Sequence, residues 1–408
     1  LYQPDVDSLL TPPVLSALQT EVDEALRDVV GQDLRLCYPS GGSYRSPYIF
    51  TDLDGDEEAE AVVFYTVENE PLVYLQILDH TEGRWRAHNA LPGTEGEVLF
   101  VDFRHLSGDD ATDLLVGWRE PDRDFDTLYL YRYREGSLTE EFHVSCDGVA
   151  IGDFTGDGAE ELICATLDGG VTLQLIGWGG TGISVLDSAY SSLRLQTITG
   201  SVTGRIEEAL PGTVFSGRIN AEMSASVLVG VQSGRLVLPQ EDTFTGYSET
   251  YCYSGASPAD INNDGIVEVP WSNAVPGISA GSREDTRYFT EYRALQNGSY
   301  TTIAACYQNT ADGWRLILPE GLYELYWQNG LTLTRQAETR EVVFRQYTGH
   351  LNENGREYLR LRVTAGNETA PEGYTLLNSR GQFSYYASIP LGSPLSMAEV
   401  EQNFSLLG

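Results

Sequence analysis

The chain has 408 residues, of which 41% are hydrophobic, and this is enough apolar material for a folded core. Sixty acidic residues face only 25 basic ones, and all 25 are arginine, so the formal net charge is −35. This charge opposes binding to nucleic acid or to anionic lipid, and it favours divalent cations. The lack of lysine excludes Schiff-base chemistry and the lysine of a phosphate-binding P-loop.

The chain begins with one amphipathic segment. Between Val14 and Val30, apolar residues recur at helical spacing on one stripe, while acidic residues fall on the opposite side. Gly31 follows as a helix stop. We therefore expect residues 1–33 to form a helical segment that packs on a larger domain.

From Leu34 onward the pattern changes to short apolar runs separated by Gly, Asp and Asn, which is typical of strands joined by turns. Abundant Gly and Pro (42 and 17 residues) agree with many turns. The clearest predicted strands are Ala61–Val67, Leu72–Leu78, Thr127–Tyr133 and Val171–Ile176.

Four segments of this region resemble one another, each with a strand-like run, an acidic loop that contains Gly, and a second apolar run. They are residues 48–65, 99–118, 149–166 and 256–272, and a more divergent copy spans 214–231. The repeat is about 50 residues long, which leaves room for four strands per unit. We therefore predict a mainly β fold in which residues 34–305 form a β-propeller of five to seven blades.

Three of the acidic loops place oxygen-bearing side chains at relative positions 1, 3, 5 and 9, with a backbone carbonyl available at position 7. Calcium takes six to eight oxygen ligands, and a tight loop supplies most of them from one short segment. We therefore expect two to three structural Ca²⁺ ions. The predicted ligands are Asp52, Asp54, Asp56, Glu58 and Glu60; Asp153, Thr155, Asp157, Ala159 and Glu161; and Asp260, Asn262, Asp264, Ile266 and Glu268.

The corresponding loop at residues 102–113 differs, and two alignments remain open. If Asp113 is position 9, then His105 and Ser107 occupy positions 1 and 3. Alternatively, Asp102 is position 1 and the loop contains an insertion. Because histidine is a poor ligand for a hard cation, we expect weak metal binding there or none.

The loop sequences DLDGDEEAE, DFTGDGAEE and DINNDGIVE resemble those of FG-GAP (VCBS) repeats, the blades of integrin α-subunit propellers. The resemblance covers residues 34–305 and departs from the pattern at 102–113 and 201–231. It implies that each loop joins the first two strands of a blade and binds calcium in a structural role. The order of helix, propeller and C-terminal domain is similar to that of secreted lipoproteins of anaerobic Gram-positive bacteria.

After residue 305 the repeat disappears, and we expect residues 306–408 to form a small α+β domain. Strands are predicted at Glu341–Tyr347, Tyr358–Val363 and Gln382–Ile389. A final helix is predicted at Met397–Phe404, with Ser396 as its cap and Glu399 completing a capping box.

The remaining signals concern compartment. The five cysteines lie far apart without a C-x-x-C motif, so we expect mostly buried free thiols, with one disulfide as the alternative. No apolar run approaches the roughly 18 residues of a membrane span. Because the first residue is Leu, we expect that an export signal was removed upstream and that the protein is extracytoplasmic, either secreted or lipid-anchored at the cell surface.

Catalytic motifs are weak. The G-x-S-x-G string at 277–281 follows a proline and precedes a polar run, so we interpret it as a loop rather than a nucleophile elbow. We expect a monomeric, non-catalytic binding protein with a protein or glycan ligand at the cell surface. Tyr251, Tyr253 and Trp271 are candidates for a sugar platform or for blade cores. The alternative function is a calcium-dependent polysaccharide lyase or glycoside hydrolase.

Overall fold

A computed structural model describes residues 15–94, 96–107, 111–119, 126–240, 246–253, 255–278, 288–350, 355–366 and 368–407. Within these ranges the fold is mainly β, with 28 strands in six small antiparallel sheets and three α-helices. The chain forms two compact units, Leu1–Thr166 with Gln174–Ser188, and Leu167–Leu173 with Ala189–Gly408.

Helix α1 (Ala17–Val30) confirms the predicted N-terminal helix. Ser16 caps it in a capping box with Gln19, and Gly31 ends it with φ +106°. Val22 and Leu26 are fully buried, whereas other members of the predicted apolar stripe are exposed. The buried face is therefore centred on Val22 and Leu26, with Ala25 and Val30 partly buried against the same cluster.

The first unit contains three sheets, and their strands include those predicted at residues 61–67, 72–78, 127–133 and 171–176. The first sheet holds β1 (Leu34–Leu36), β2 (Tyr48–Thr51), β3 (Glu60–Val67), β4 (Val73–Thr81), β5 (Arg84–Ala87) and β6 (Leu91–Pro92). The second holds β7 (Glu97–Arg104), β8 (Asp113–Arg119), β9 (Asp126–Arg134) and β10 (Ser137–Cys146). The third holds β11 (Gly148–Gly152), β12 (Glu161–Leu167), β13 (Val171–Trp178) and β14 (Ile183–Ser191), the strand β13 crossing the division between the units.

Apolar side chains of neighbouring sheets share continuous cores in this unit. Phe64 of the first sheet meets Trp118 of the second edge to face, with ring centroids 5.8 Å apart. Leu115 and Leu130 of the second sheet lie in one buried cluster with Leu162 of the third. This burial explains the continuous apolar runs of the sequence. Both faces of these strands are shielded from solvent, so consecutive residues are apolar.

The second unit also contains three sheets, with a short 3-10 helix at Gly246–Thr250. The fourth sheet holds β15 (Thr197–Glu207), β16 (Leu210–Arg218), β17 (Ser224–Gln232) and β18 (Arg235–Val237). The fifth holds β19 (Val269–Ala274), β20 (Tyr288–Gln296), β21 (Ser299–Asn309), β22 (Trp314–Ile317) and β28 (Phe404–Leu406). The sixth holds β23 (Leu331–Gln336), β24 (Glu341–Gln346), β25 (Glu357–Ala365), β26 (Thr375–Arg380) and β27 (Phe383–Ser388).

Two features of this unit differ from the sequence pattern. The divergent copy at 214–231 spans β16 and β17, which are the second and third strands of their sheet rather than the first and second. In addition, β21 continues across residue 305, and β28 from the end of the chain pairs with β22. The fifth sheet therefore holds residues from both sides of the expected domain boundary.

The C-terminal elements agree with the sequence. Strands β24, β25 and β27 lie where they were predicted, and α3 (Met397–Asn403) has the predicted capping box of Ser396 with Glu399. Helix α2 (Glu320–Trp327) was not predicted. It lies in the aromatic-rich stretch and buries Leu322 and Tyr326.

All five cysteines are free thiols, four of them buried and Cys37 half-buried. The thiols of Cys146 and Cys164 hydrogen-bond to each other. Among the described residues, no helix combines the length and the hydropathy that a membrane crossing requires.

Candidate metal centre

Three loops carry the predicted metal ligands, and each leads directly into a buried strand. The first loop (Asp52–Glu60) joins β2 to β3, and the second loop (Asp153–Glu161) joins β11 to β12. The third loop (Asp260–Glu268) is closed by an antiparallel bridge between Ala259 and Glu268 and continues into β19. The first and second loops therefore connect adjacent strands of a sheet, as the sequence resemblance implied.

The ninth residue of each loop is a glutamate that is almost completely buried. Its side chain turns back into the loop, and one carboxylate oxygen accepts the backbone N–H of the second loop residue. The carboxylate is thereby held at the inner end of the loop. The three bonds are Leu53 N to Glu60 Oε2 (2.6 Å), Phe154 N to Glu161 Oε2 (2.8 Å) and Ile261 N to Glu268 Oε2 (2.8 Å).

The first and fifth residues are aspartates that brace the middle of each loop. The first aspartate accepts the N–H of the sixth residue, and the fifth accepts the N–H of the seventh. Distances from the first aspartate are 3.0 Å to Glu57 N, 3.1 Å to Gly158 N and 2.8 Å to Gly265 N. Those from the fifth are 2.8 Å to Glu58 N, 2.9 Å to Ala159 N and 2.7 Å to Ile266 N.

The backbone of the three loops is also the same at positions 4 and 6, both of which lie in the left-handed region. Such a conformation wraps the chain around a centre and is favoured by Gly and Asn. The residues concerned, with their φ angles, are Gly55 (83°) and Glu57 (71°), Gly156 (78°) and Gly158 (92°), and Asn263 (60°) and Gly265 (84°).

Within each loop, three carboxylates converge so that one oxygen of each lies within 4.8 Å of the others. The second and third loops bring together positions 1, 5 and 9, whereas the first loop brings together positions 1, 3 and 9. The converging side chains are Asp52, Asp54 and Glu60; Asp153, Asp157 and Glu161; and Asp260, Asp264 and Glu268.

The other predicted ligands do not belong to these triads. Asp56 and Glu58 are exposed, and Glu58 lies 3.6 Å from the Nδ1 atom of His80. Thr155 donates its hydroxyl to Glu161 Oε1 at 2.8 Å. Asn262 donates its amide to Asp264 Oδ2 at 2.9 Å. Glu58, Ala159 and Ile266 were predicted to contribute backbone carbonyl oxygens, and the N–H group of each donates to the aspartate at position 5 of its loop.

Electrostatic repulsion and burial act together on the inner glutamates. Burial, followed by the charges of neighbouring aspartates, raises the pKa of Glu60 to about 7 and that of Glu268 to about 7. Burial also raises the pKa of Glu161. Asp264 differs because the N–H of Ile266 and the amide of Asn262 lower its pKa. Keeping these carboxylates close together in the folded protein costs electrostatic free energy, and a bound cation would remove that cost.

Two oxygens in these clusters are buried and accept no hydrogen bond from any described residue. They are Oε1 of Glu268, whose side chain is fully buried, and Oδ1 of Asp54. A buried polar atom without a partner is destabilising, so such atoms in native proteins mark places where another group binds. A hard cation is the group that fits an oxygen already surrounded by two further carboxylates.

The described residues of the corresponding loop, 105–107 and 111–113, repeat the inner hydrogen bonds of the second loop and add an arginine. Asp113 accepts the N–H groups of Leu106 (2.8 Å) and Ser107 (3.1 Å) and the Ser107 hydroxyl (2.9 Å), as Glu161 does in the second loop. Its other oxygen contacts Arg132 of β9, at 2.6 Å from Nη2. Asp102 instead lies on β7 and pairs with Arg104. The alignment with His105 at position 1 is therefore the one that the structure supports.

The eighth residue of three of these loops donates its N–H group to a carbonyl of the preceding repeat. Within the first unit these bonds are Thr112 N to Leu53 O (3.1 Å) and Glu160 N to His105 O (3.0 Å), and within the second unit Val267 N to Arg205 O (2.9 Å). Thus His105 and Arg205 occupy related places, and Asp52, His105, Asp153, Arg205 and Asp260 follow one another at intervals of about 50 residues.

Sequence reasoning missed Arg132, which pairs with Asp113, and Arg205, whose carbonyl accepts an N–H group of the third loop. Arg132 lies on the adjacent strand, opposite Asp113, so no local spacing connects the two. Arg205 does fall on the 50-residue period, and this period was the available signal.

No protein-family model matches this chain, and no curated protein matches it. Among solved structures, the exotype rhamnogalacturonan lyase YesX aligns with a TM-score of 0.30 and 10% identity over 80% of this chain and 73% of its own. Sqt1 of Saccharomyces cerevisiae aligns with a TM-score of 0.32 and 12% identity over 84% and 90%. Bacillus licheniformis rhamnogalacturonan lyase PL11 aligns with a TM-score of 0.32 and 11% identity over 72% and 67%. Similarity at this level carries no argument about fold or function.

Proposed function

We propose that the three loops bind Ca²⁺ and that the ions stabilise a non-catalytic binding protein. The observation that carries this proposal is the repeated hydrogen-bond pattern, which leaves three converging carboxylates in each loop. In the third loop it also leaves one fully buried oxygen of Glu268 without a partner among the described residues.

The donor chemistry favours calcium over other metals. Every converging ligand is a carboxylate, and neither histidine nor cysteine belongs to any triad. Hard oxygen donors on a loop suit Ca²⁺, whereas Zn²⁺ and Cu²⁺ prefer sites that include nitrogen or sulfur. The loops are also partly exposed at position 5, so water can complete the coordination of a large ion.

The role of such ions would be structural. Each loop holds three carboxylates close together. A divalent cation would cancel their repulsion, so that the hydrogen bonds within the loop would stabilise the folded state without this electrostatic penalty. The second, third and fourth sheets have four strands each in chain order, and this arrangement supports our inference that the repeats are blades of an FG-GAP-like propeller.

Titration calorimetry of EDTA-stripped protein tests the metal assignment. We expect three Ca²⁺ ions per chain and much weaker binding of Mg²⁺, which demands a smaller octahedral site. Glu60→Gln, Glu161→Gln and Glu268→Gln each preserve size and should each remove one ion. As a matched control, Glu324→Gln on α2 should leave all three. A stoichiometry that no loop variant alters would overturn the assignment.

The binding role requires a second measurement. We propose that the protein acts outside the cytoplasm, at the cell surface, and recognises a protein or glycan there. Calcium-loaded protein applied to glycan and cell-surface protein panels should bind a defined ligand and release it chemically unchanged. Formation of unsaturated or hydrolysed sugar products would reject the non-catalytic assignment.

A further inference from the structure

A polar groove within the second unit gathers three arginines. One cavity, of about 720 Å³, is lined by Arg315 and Arg380, and a second, of about 230 Å³, is lined by Arg218. Gly255, Gln308 and Thr310 belong to the walls of both cavities, so the two are neighbouring parts of one groove. We refer to it as the arginine groove.

None of these three arginines forms an ion pair with a carboxylate of the described residues. Arg315 donates to the Tyr292 hydroxyl at 3.2 Å and has its guanidinium 5.8 Å from that ring. Its Nε–H group is buried and donates to no partner among the described residues. Within the described part of the chain, Arg380 donates to the Leu407 carbonyl alone, at 2.5 Å.

This grouping is unexpected in so acidic a chain. With 60 acidic and 25 basic residues, a guanidinium has many carboxylates available as partners. Yet among the described residues no carboxylate lines the larger cavity, and Glu222 is the one that lines the smaller. The groove is therefore locally positive within a strongly negative molecule, and its field favours an anionic ligand.

The remaining groups of the groove suit a sugar. Tyr253 and Tyr288 stack with ring centroids 5.0 Å apart and planes 15° from parallel, and Tyr253 is 38% exposed at the mouth of the smaller cavity. An exposed aromatic face packs against the C–H face of a pyranose ring. Gln308 and Thr310 add amide and hydroxyl groups that bond to sugar hydroxyls.

We infer that the arginine groove binds a short anionic saccharide, with Arg315 and Arg380 contacting its carboxylate or sulfate group and Tyr253 packing on a sugar ring. This inference rests on the proposed binding function and names its ligand class. The net charge of −35 repels long polyanions, so the ligand has a few sugar units rather than a polymer length. An acidic peptide would pair with the same arginines, but it has no pyranose ring to pack on the exposed face of Tyr253.

Calorimetry with calcium-saturated protein tests the inference with four probes: a glucuronic acid trisaccharide, its methyl ester, a sulfated disaccharide and a tripeptide of glutamate. We expect the trisaccharide to bind at least tenfold more tightly than its methyl ester, and its affinity to fall as salt rises. Comparison of the affinities of the sulfated disaccharide and the trisaccharide shows whether the groove prefers sulfate or carboxylate. Binding of either anionic sugar supports the inferred site.

Variants locate the site. Arg380→Gln and Arg218→Gln both change exposed side chains of the groove. We expect Arg380→Gln to weaken binding of the trisaccharide five- to tenfold and to leave binding of the methyl ester unchanged. Arg194→Gln removes the same charge from an exposed position outside the groove and should have no effect. Tyr253→Ala should weaken both sugars.

Equal binding of acid and ester, equal loss in Arg194→Gln, tighter binding of the glutamate peptide, or no binding of either anionic sugar would overturn the inference. Calcium stoichiometry is measured on the same samples. A protein that binds three Ca²⁺ ions but no anionic sugar would therefore refute the groove alone, whereas one that binds no Ca²⁺ would refute the metal proposal.

Discussion

Glu57 occupies a left-handed backbone position that the second and third loops give to Gly158 and Gly265. A residue with a Cβ atom is disfavoured there by about 1 kcal/mol. We therefore expect Glu57→Gly to stabilise the protein by about 1 kcal/mol, measured as the free energy of unfolding in urea.

Two controls separate backbone from charge in this experiment. Glu57→Gln removes the charge and keeps the strain, so it should recover less stability than Glu57→Gly. Gly158→Ala introduces the same strain into the second loop, where a new Cβ would meet no atom within 4 Å. It should destabilise by about 1 kcal/mol. A neutral Gly158→Ala would show that the left-handed conformation is absent in solution.

Glu60 and Glu268 predict an unusual pH dependence for the metal-free protein. Their folded pKa values are about 7, above the ordinary value of 4.5, so the folded state binds more protons than the unfolded state between these values. Stability must then fall as pH rises from about 5 to 7.5. We expect the midpoint of thermal unfolding in EDTA to drop by on the order of 5 °C over this range.

Removal of the two carboxyl groups is the control for this pH effect. The double variant Glu60→Gln/Glu268→Gln should lose most of the drop, and saturating Ca²⁺ should abolish it in the wild type because the ion keeps both carboxylates ionised. A midpoint in EDTA that rises with pH would contradict the assigned environment of these glutamates.

The fourth loop (residues 105–113) differs from the others because the carboxylate of its Asp113 pairs with the side chain of Arg132. Asp113 and Arg132 are both almost fully buried, and breaking such a pair costs about 3 kcal/mol because one charge is left uncompensated. We expect Asp113→Asn to destabilise by about this amount with or without calcium, measured by urea denaturation.

The matched variant lies in the second loop. Glu161→Gln should destabilise when calcium is present and have little effect in EDTA, because its partner would be the ion rather than an arginine. Equal sensitivity of Asp113→Asn and Glu161→Gln to calcium would show that the fourth loop also binds metal.

These loops show how far the sequence predicts the candidate site. The ninth glutamate, the first aspartate and the left-handed residues lie within nine consecutive positions, so spacing alone identifies them. Asp56 and Thr155 were predicted ligands that the structure leaves outside the triads, because spacing does not reveal which side chain turns inward. Arg132 could not be predicted at all, since it lies opposite Asp113 on the adjacent strand and 19 residues away in the chain.

At the scale of the whole molecule, alternating and continuous apolar runs predicted the mainly β fold and most strand positions. Strand order was harder to predict where distant segments pair. The strand Phe404–Leu406 joins the fifth sheet beside Trp314–Ile317, a pairing of residues far apart in the chain that no local pattern encodes. The 50-residue spacing identifies the repeated units. The last sheet lies after the repeat, so this spacing does not predict how its strands pack.

Three loops are proposed to bind calcium, and the fourth is not. Anomalous diffraction from crystals grown with calcium tests this proposal most directly. We predict three calcium peaks, each within about 2.6 Å of carboxylate oxygens of Glu60, Glu161 and Glu268, and none beside Asp113, where Arg132 is already bound. Empty loops at saturating calcium, or carboxylates that point apart around no common centre, would contradict the account.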